Sequence, residues 1–465
     1  MKFISTRLNS PQLSFDQVIM QGLAPDGGLY VPEFLPQFDT KKLNEMAKMS
    51  YTDLFFAVTY HFVANSISEE TYKKIINKSY TNFHHSAIAP TKQLTHNHYL
   101  LELFHGPTLA FKDFALQFLG NLLDYLLTKQ QKQIVIIGAT SGDTGSAAIY
   151  GCKMCKNAQI FILHPHQKVS EVQRKQMTTV IADNVFNIAL QGNFDDCQNM
   201  VKKMFIDQSF LKQKQMVAVN SINFARIMAQ IVYYFYAALR FGNHPVSFSV
   251  PTGNFGDIYA GYLAKKMGLN INKLIIATNS NNILVRFLNN GDYSKQNMIE
   301  TISPSMNIQV ASNFERLIFD ASKPFKLEGK IASAMHEFER TNILKLDQSI
   351  HQHIKQDFTA YQVSDEQTLQ TIAQAFTQTG EILDPHTAIG IEATNQFIAS
   401  KNYQQEPVIT LATAHPAKFP DAVLQAKLTQ PQLPNFLQNL FDLPEKYQVI
   451  SNNIEEVKTY INSQI

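Results

Sequence analysis

Three cysteines in 465 residues cannot build a disulfide framework. Cys152 and Cys155 form a C-x-x-C, but no second Cys/His pair at zinc spacing accompanies it. They read as ordinary thiols on a helical segment, in a reducing cytoplasm. Charge of one sign is missing too. Lys and Arg number 40 against 38 Asp and Glu, a net charge of +2. No broad field therefore draws in nucleic acid or an anionic membrane, although a local anion site is still open. The longest apolar stretch, IMAQIVYYFYAAL, is too short and too polar to span a bilayer. The first residues, MKFISTRLNSPQLSF, lack the apolar segment of a secretory signal. His84 and His85 have no third ligand at metal spacing, so no metal site is expected. Neither H-E-x-x-H nor a legible Ser/His/Asp spacing occurs, and no carboxylate pair stands out.

What is present is an ordinary globular balance, 45% apolar and 17% charged residues, on a chain too long for one core. Residues 1–95 mix helix patterns with turns, and GLAPDGGLYVPEFLP is a Gly/Pro-punctuated loop carrying a short strand. From about residue 96 the pattern changes. QIVIIG, AQIFILHP, NVFNIALQG, VSFSVPTG and KLIIATNSN are apolar runs that alternate with helical segments. Such a series predicts an α/β fold with parallel sheets covered by helices on both faces. Residues 96–465 then form the catalytic region in two subdomains. Residues 281–360, irregular, polar and helix-prone, read as an insertion. PVITLAT is a last buried strand, and the tail from about 420 is helical and Leu-rich. Ligands of parallel sheets bind in the loops after the strands, so those loops hold the candidates.

The first candidate is Lys112, in HGPTLAFKDFALQFLG. A strand runs into a Gly-Pro loop before it, and an apolar-faced helix follows, which puts the lysine at a junction beside Phe111 and Phe114. Partial burial there would lower its pKa and suit a Schiff-base lysine; a helix-start lysine reaching solvent fits the same position. The loop Thr140-Ser141-Gly142-Asp143-Thr144-Gly145 precedes a helix. It fits an anion site or a capped turn. Gly253-Asn254-Phe255-Gly256-Asp257 also joins a strand to a helix. It is neither G-x-G-x-x-G nor a P-loop, so it suits a small phosphorylated cofactor, or a tight left-handed turn. In Ser221-Ile222-Asn223-Phe224-Ala225-Arg226, Ser221 and Asn223 share a side if the segment is extended, and Arg226 suits a substrate phosphate. A cap with a surface arginine fits equally. Thr413 ends the last strand, and its hydroxyl could meet a ring nitrogen; His415 reads as a loop residue held by Pro416. One lysine among several anion-binding loops suggests an aldehyde that is also a phosphate ester, namely pyridoxal 5′-phosphate.

LELFHGPTLAFKDF, ATSGDTG, SINFARIMAQ, PTGNFGD, DPHTA and TAHPAKF, in that order, resemble the threonine synthase family, as does GLAPDGGLYVPE near the start. The likeness runs from about residue 5 to beyond 420, and the segment 281–360 resembles the longer branch of the family. It implies a fold-type-II pyridoxal-phosphate enzyme, tryptophan synthase β-like, with a small N-terminal domain. The implied reaction turns O-phospho-L-homoserine and water into L-threonine and phosphate, in a cytoplasmic monomer or homodimer. By the same resemblance Lys112 is the lysine bonded to the cofactor. The loop Gly253, Asn254, Phe255, Gly256, Asp257 cradles its phosphate, and Thr413 faces its ring nitrogen. Asp143 stands where related enzymes usually carry Asn beside the 3′-oxygen, a place where a carboxylate should repel a phenolate unless protonated or turned away. Thr140, Ser141, Gly142 and Thr144 are assigned to the substrate carboxylate, and Ser221, Asn223 and Arg226 to its phosphate. A phospho-lyase releasing 2-oxobutyrate, a serine/threonine dehydratase of the same fold type, and a binder without chemistry are the alternatives.

Overall fold

The apolar runs divide between two parallel sheets. In the computed structural model, which describes residues 1–211, 214–217 and 219–465, one sheet has six strands. Their spatial order is Phe358–Gln362, Ile271–Thr278, Val246–Pro251, Val408–Ala412, His98–Glu102 and Thr91–Gln93. Every pair is parallel except the last. The other sheet has five, in the order Gln448–Ser451, Val185–Gln191, Ala158–Pro165, Ile134–Ala139 and Gln215–Val217, all parallel. The central strands Val246–Pro251 and Val408–Ala412 are buried at every residue, which is why they read as unbroken apolar runs rather than as alternation.

Several expectations need correcting. The segment 281–360 is not wholly separate from the sheets, because the strand Phe358–Gln362 begins inside it and closes the six-stranded sheet at one edge. The tail is not simply helical. Gln448–Ser451 pairs beside Val185–Gln191 before the last helix, Ile454–Gln464. Both strands are short and half-exposed at a sheet edge, so neither has the apolar run that marks a buried strand. The N-terminal residues place Phe3–Ser5 antiparallel to Tyr30–Pro32, next to the helices Tyr51–Val63 and Glu69–Tyr80.

The helix Lys112–Gln130 joins the two sheets' chemistry. Phe114, Phe118, Leu119, Leu122, Leu123 and Leu126, at three- and four-residue spacing, are all buried. Its neighbour is the helix Asp143–Cys152, and the two backbones touch. A Cβ on Gly120 would lie 1.9 Å from the Gly151 carbonyl oxygen, and one on Gly151 would lie 2.3 Å from that of Leu116. This contact sets the distance between the helix that starts at Lys112 and the helix that starts at Asp143. Gly120→Ala should therefore destabilise the fold by about 2 kcal/mol through overpacking. An unchanged denaturant midpoint would contradict that role.

Candidate active site

Chain segments that leave the carboxyl ends of strands in both sheets line one cavity of about 420 Å³. Lys112 is the first residue of its helix. The segment before it is stitched to the end of the last strand: Phe111 N–H donates to Thr413 O at 2.9 Å, and His415 N–H to Leu109 O at 3.0 Å. The lysine cannot move far from Thr413, which also lines the cavity. Its Nζ lies 3.4 Å from Asp143 Oδ2 and 3.4 Å from Ser305 Oγ. Burial pushes the amine down from its ordinary value; Asp143 opposes this, and Lys418 and Arg226 add to it.

Asp143 opens its own helix, which begins inside the loop, three residues earlier than the sequence pattern implies. Its Oδ1 accepts from Gln173 Nε2 at 2.9 Å and pairs with Lys418 Nζ at 2.9 Å. Its Oδ2 accepts from Ser305 Oγ at 3.2 Å and from Lys112. Burial favours the neutral acid, but Lys418 first, then Lys112 and His386, hold the carboxyl well below the usual carboxylate range. The expected clash with a neighbouring anion takes a different form here: Asp143 is ionised and neutralised by a fully buried lysine. Lys418 is tied in place by a 2.6 Å hydrogen bond to Thr108 O.

The other candidates separate into two groups. Ser141, Thr144, Ser221, Arg226 and the whole of Gly253–Asp257 line the cavity. Thr140 lines it as well, but its hydroxyl accepts from the N–H groups of Gly142 and Gly145, both at 2.9 Å, so it braces the loop from within. Two residues need reassigning. Gly142 does not line the cavity; at φ 137° its missing side chain leaves room for Gln173, which reaches Asp143. Asn223 is turned away. The chain turns at Ser221–Ile222 instead of running extended, so the two side chains do not share a side. Asn223 caps the helix Phe224–Ala238 through Ala225 N–H and donates to Ile19 O.

One end of the cavity is built by the helix Gly256–Lys266, whose first N–H groups have no intrahelical acceptor. Phe255 holds the preceding turn in the left-handed region, φ 66°, with its ring against Phe314 and Phe358. Three buried polar atoms on residues lining this cavity lack a partner: Arg226 Nε, Gln230 Oε1 and Asp257 Oδ2. Arg226 gives only one hydrogen bond, to Val219 O, and burial lowers it to about 10. Burial pushes Asp257 up to about 6, although the hydroxyls of Tyr233 and Tyr234 donate to its Oδ1. An unpaired, buried Arg226 N–H near a helix N-terminus fits an anionic ligand, the unpaired oxygens of Gln230 and Asp257 fit donors, and the depressed amine of Lys112 fits an aldehyde. Among the described residues no group of three His, Cys, Asp or Glu is placed to hold a metal ion. Cys155 is buried and its thiol pushed up to about 12, an inert state.

Sequence reasoning missed Asn220, Gln230, Ser305 and His386, all on the cavity wall, and Lys418 and Gln173 behind Asp143. Gln230 was accessible to it, one turn beyond Arg226 on the same helix face. Ser305 lies in an irregular polar segment with no periodic signal. His415 lies outside the cavity wall; its Nδ1 accepts from Ala417 N–H, as a capping residue does.

Three family models match the chain: "Threonine synthase N terminus" over residues 2–80, "Pyridoxal-phosphate dependent enzyme" over 85–344, and "Threonine synthase, C-terminal" over 387–461. Threonine synthase of Pseudomonas aeruginosa is 52% identical, across 99% of this chain and 98% of its own. The crystal structure of pyridoxal-phosphate-bound threonine synthase from Brucella melitensis superposes with a TM-score of 0.96 at 43% identity, covering 100% of this chain and 99% of the other. That of the yeast enzyme gives 0.95 at 42%, covering 100% and 98%.

The Asp143–Lys418 pair has a pH signature. A carboxyl held below its unfolded value contributes stability that is present above about pH 4 and is lost as pH falls through the native value. Lys418→Met leaves Asp143 with less compensation, and its native pKa rises. We expect a loss of about 3 kcal/mol at neutral pH that narrows on acidification. Denaturant unfolding of both proteins across that range checks it; a difference independent of pH would contradict it.

Proposed function

We infer that this chain, which belongs to the threonine synthase family, is a pyridoxal-phosphate-dependent lyase converting O-phospho-L-homoserine and water to L-threonine and phosphate. The observation that carries the assignment of roles is the lowered amine of Lys112, set between Asp143 and Ser305 on a cavity where the buried Arg226 guanidinium keeps an unpaired N–H. Lys112 bonds the cofactor aldehyde. Gly253, Asn254, Phe255 and Gly256 hold its phosphate at the helix N-terminus. When bound, the cofactor supplies a conjugated ring that takes up negative charge from the substrate's Cα.

The chain's own groups do the rest. Lys112, once released by a bound substrate, would carry protons at the substrate's Cα and Cβ. Asp143 keeps that amine close, and Lys418 keeps Asp143 charged without making the site anionic. Thr413 offers the ring nitrogen a hydroxyl rather than a carboxylate, so nothing holds that nitrogen protonated. Ser141 and Thr144 take the substrate carboxylate. Arg226 and Ser221, with Asn220 and Gln230 beside them, take the substrate phosphate and stabilise it as it leaves. Water then adds at Cβ.

This reading treats residues 1–95 as an N-terminal unit and 96–465 as the catalytic region. It places the protein in the cytoplasm as a monomer or homodimer with a small-molecule substrate and neither nucleic acid nor membrane as partner. A net charge of +2 supports it; among the described residues no helix is long and apolar enough to cross a membrane.

Purified protein given pyridoxal phosphate and phosphohomoserine should release phosphate and threonine in equal amounts. Phosphate with 2-oxobutyrate and no threonine would instead mean a phospho-lyase. Lys112→Ala should lower threonine formation by about a thousandfold or more. Arg226→Ala should raise the KM for phosphohomoserine about ten- to a hundredfold while cofactor affinity changes little. Equal loss of substrate and cofactor affinity would overturn the placing of the substrate phosphate at Arg226.

A further inference from the structure

The segment that sequence reading left as an uninformative insertion delivers a hydroxyl to the reacting lysine. Ser305 Oγ accepts from Lys112 Nζ at 3.4 Å and donates to Asp143 Oδ2 at 3.2 Å. The lysine and the carboxylate are thus linked twice, directly and through this serine. The loop has no helix or strand around Ser305 beyond a single 3₁₀ turn, Pro304–Met306, yet it is held on every side. Asn279, fully buried, donates from Nδ2 to Thr301 Oγ1 and Ser303 Oγ at 2.9 Å and to Asn307 Oδ1 at 2.8 Å. Asn281 donates to Ile299 O and accepts from Ile299 N–H. Met306 is buried in the core with Ile275, Ala277 and Ile389.

The backbone of Ser305 is pinned as well. Its N–H donates to His386 Nε2 at 3.2 Å, and His386 Nδ1 faces Asp384 Oδ1 at 2.8 Å. An acceptor at Nε2 puts the ring proton on Nδ1, toward the carboxylate. On the other side, a Cβ at Gly253 would lie 2.9 Å from Ser305 O, so glycine at that position lets the loop close onto the cofactor cradle. This much fixation around one exposed-side hydroxyl is more than packing of a connecting loop requires.

We propose that Ser305 is a positioning residue for Lys112: it holds the lysine nitrogen against Asp143, so that the amine stays in line with the substrate once displaced, and Asp384–His386 hold Ser305 there. The proposal rests on the threonine synthase reading given above. The proton arrangement balances without any further partner. Lys112 donates to Ser305 Oγ, and the serine hydroxyl donates to Asp143. The charged groups acting on Lys112 from the surrounding elements are Asp143, Lys418 and Arg226, and none of them supplies an acceptor in the place of Ser305 Oγ.

The test compares wild-type holoenzyme with Ser305→Ala, Ser305→Thr and Ser305→Val. The first readout is the pH midpoint of the visible band of lysine-linked cofactor without substrate. Loss of an oxygen that accepts from Lys112 disfavours the protonated nitrogen, so the midpoint should move to lower pH in Ser305→Ala, by about half a unit or more. The second is turnover. In Ser305→Ala, kcat should fall about tenfold or more with KM within about threefold, and Ser305→Thr should restore most of both. Should the alanine variant fail to fold, Thr and Val are nearly equal in shape and differ by the hydroxyl, and the same differences are expected between them. A fall in kcat with an unmoved midpoint would assign the residue to packing and overturn the proposal, as would unchanged kcat and midpoint together. Wild-type enzyme that forms no threonine would instead sink the functional reading, while a midpoint shift in Ser305→Ala would still establish the contact with Lys112.

Discussion

A carboxylate buried at the edge of two sheets is tolerable only beside a cation, and Asp143 has two. Lys418 lies wholly out of solvent and meets one oxygen; Lys112 faces the cavity and meets the other. The two lysines are chemically alike and differ in setting. Lys418 is locked by Thr108 O, so its role is to fix charge. Lys112 has burial working against its proton and open space in front of it, which is the setting of a reactive amine. Removing Asp143 would leave two buried cations in repulsion, and removing Lys418 would leave an anion where an anionic cofactor must bind.

The same economy of charge explains the far end of the cavity. Arg226 is buried without a carboxylate, and Gln230 and Asp257 each leave an oxygen unpaired. A protein does not ordinarily leave such groups unsatisfied, so the cavity is built around atoms that a ligand brings. The unpaired Arg226 N–H and the first N–H groups of the helix Gly256–Lys266 suit anionic groups, and the two unpaired oxygens suit donors.

Lys112, the two loops after apolar strands, and Arg226 could be read from the sequence because each sits at a change of period, where a strand pattern gives way to a helix pattern. The buried central strands were legible for the same reason. Edge strands were not. Phe358–Gln362 and Gln448–Ser451 owe their conformation to a neighbour already in place, and their own residues are half polar. Asn223 misled because a capping asparagine and a binding asparagine look alike until the chain's turn is known. Ser305, His386 and Lys418 reach the site from 193 to 306 positions beyond Lys112, and pairing at that range leaves no mark in local pattern.

The account turns on which of the two lysines beside Asp143 carries the cofactor. Borohydride reduction of the holoenzyme, followed by digestion and mass spectrometry, would fix the cofactor permanently to its lysine. The account predicts the label on the peptide that contains Lys112, with none on the peptide that contains Lys418. A label on Lys418, or on any lysine outside this cavity, would contradict it.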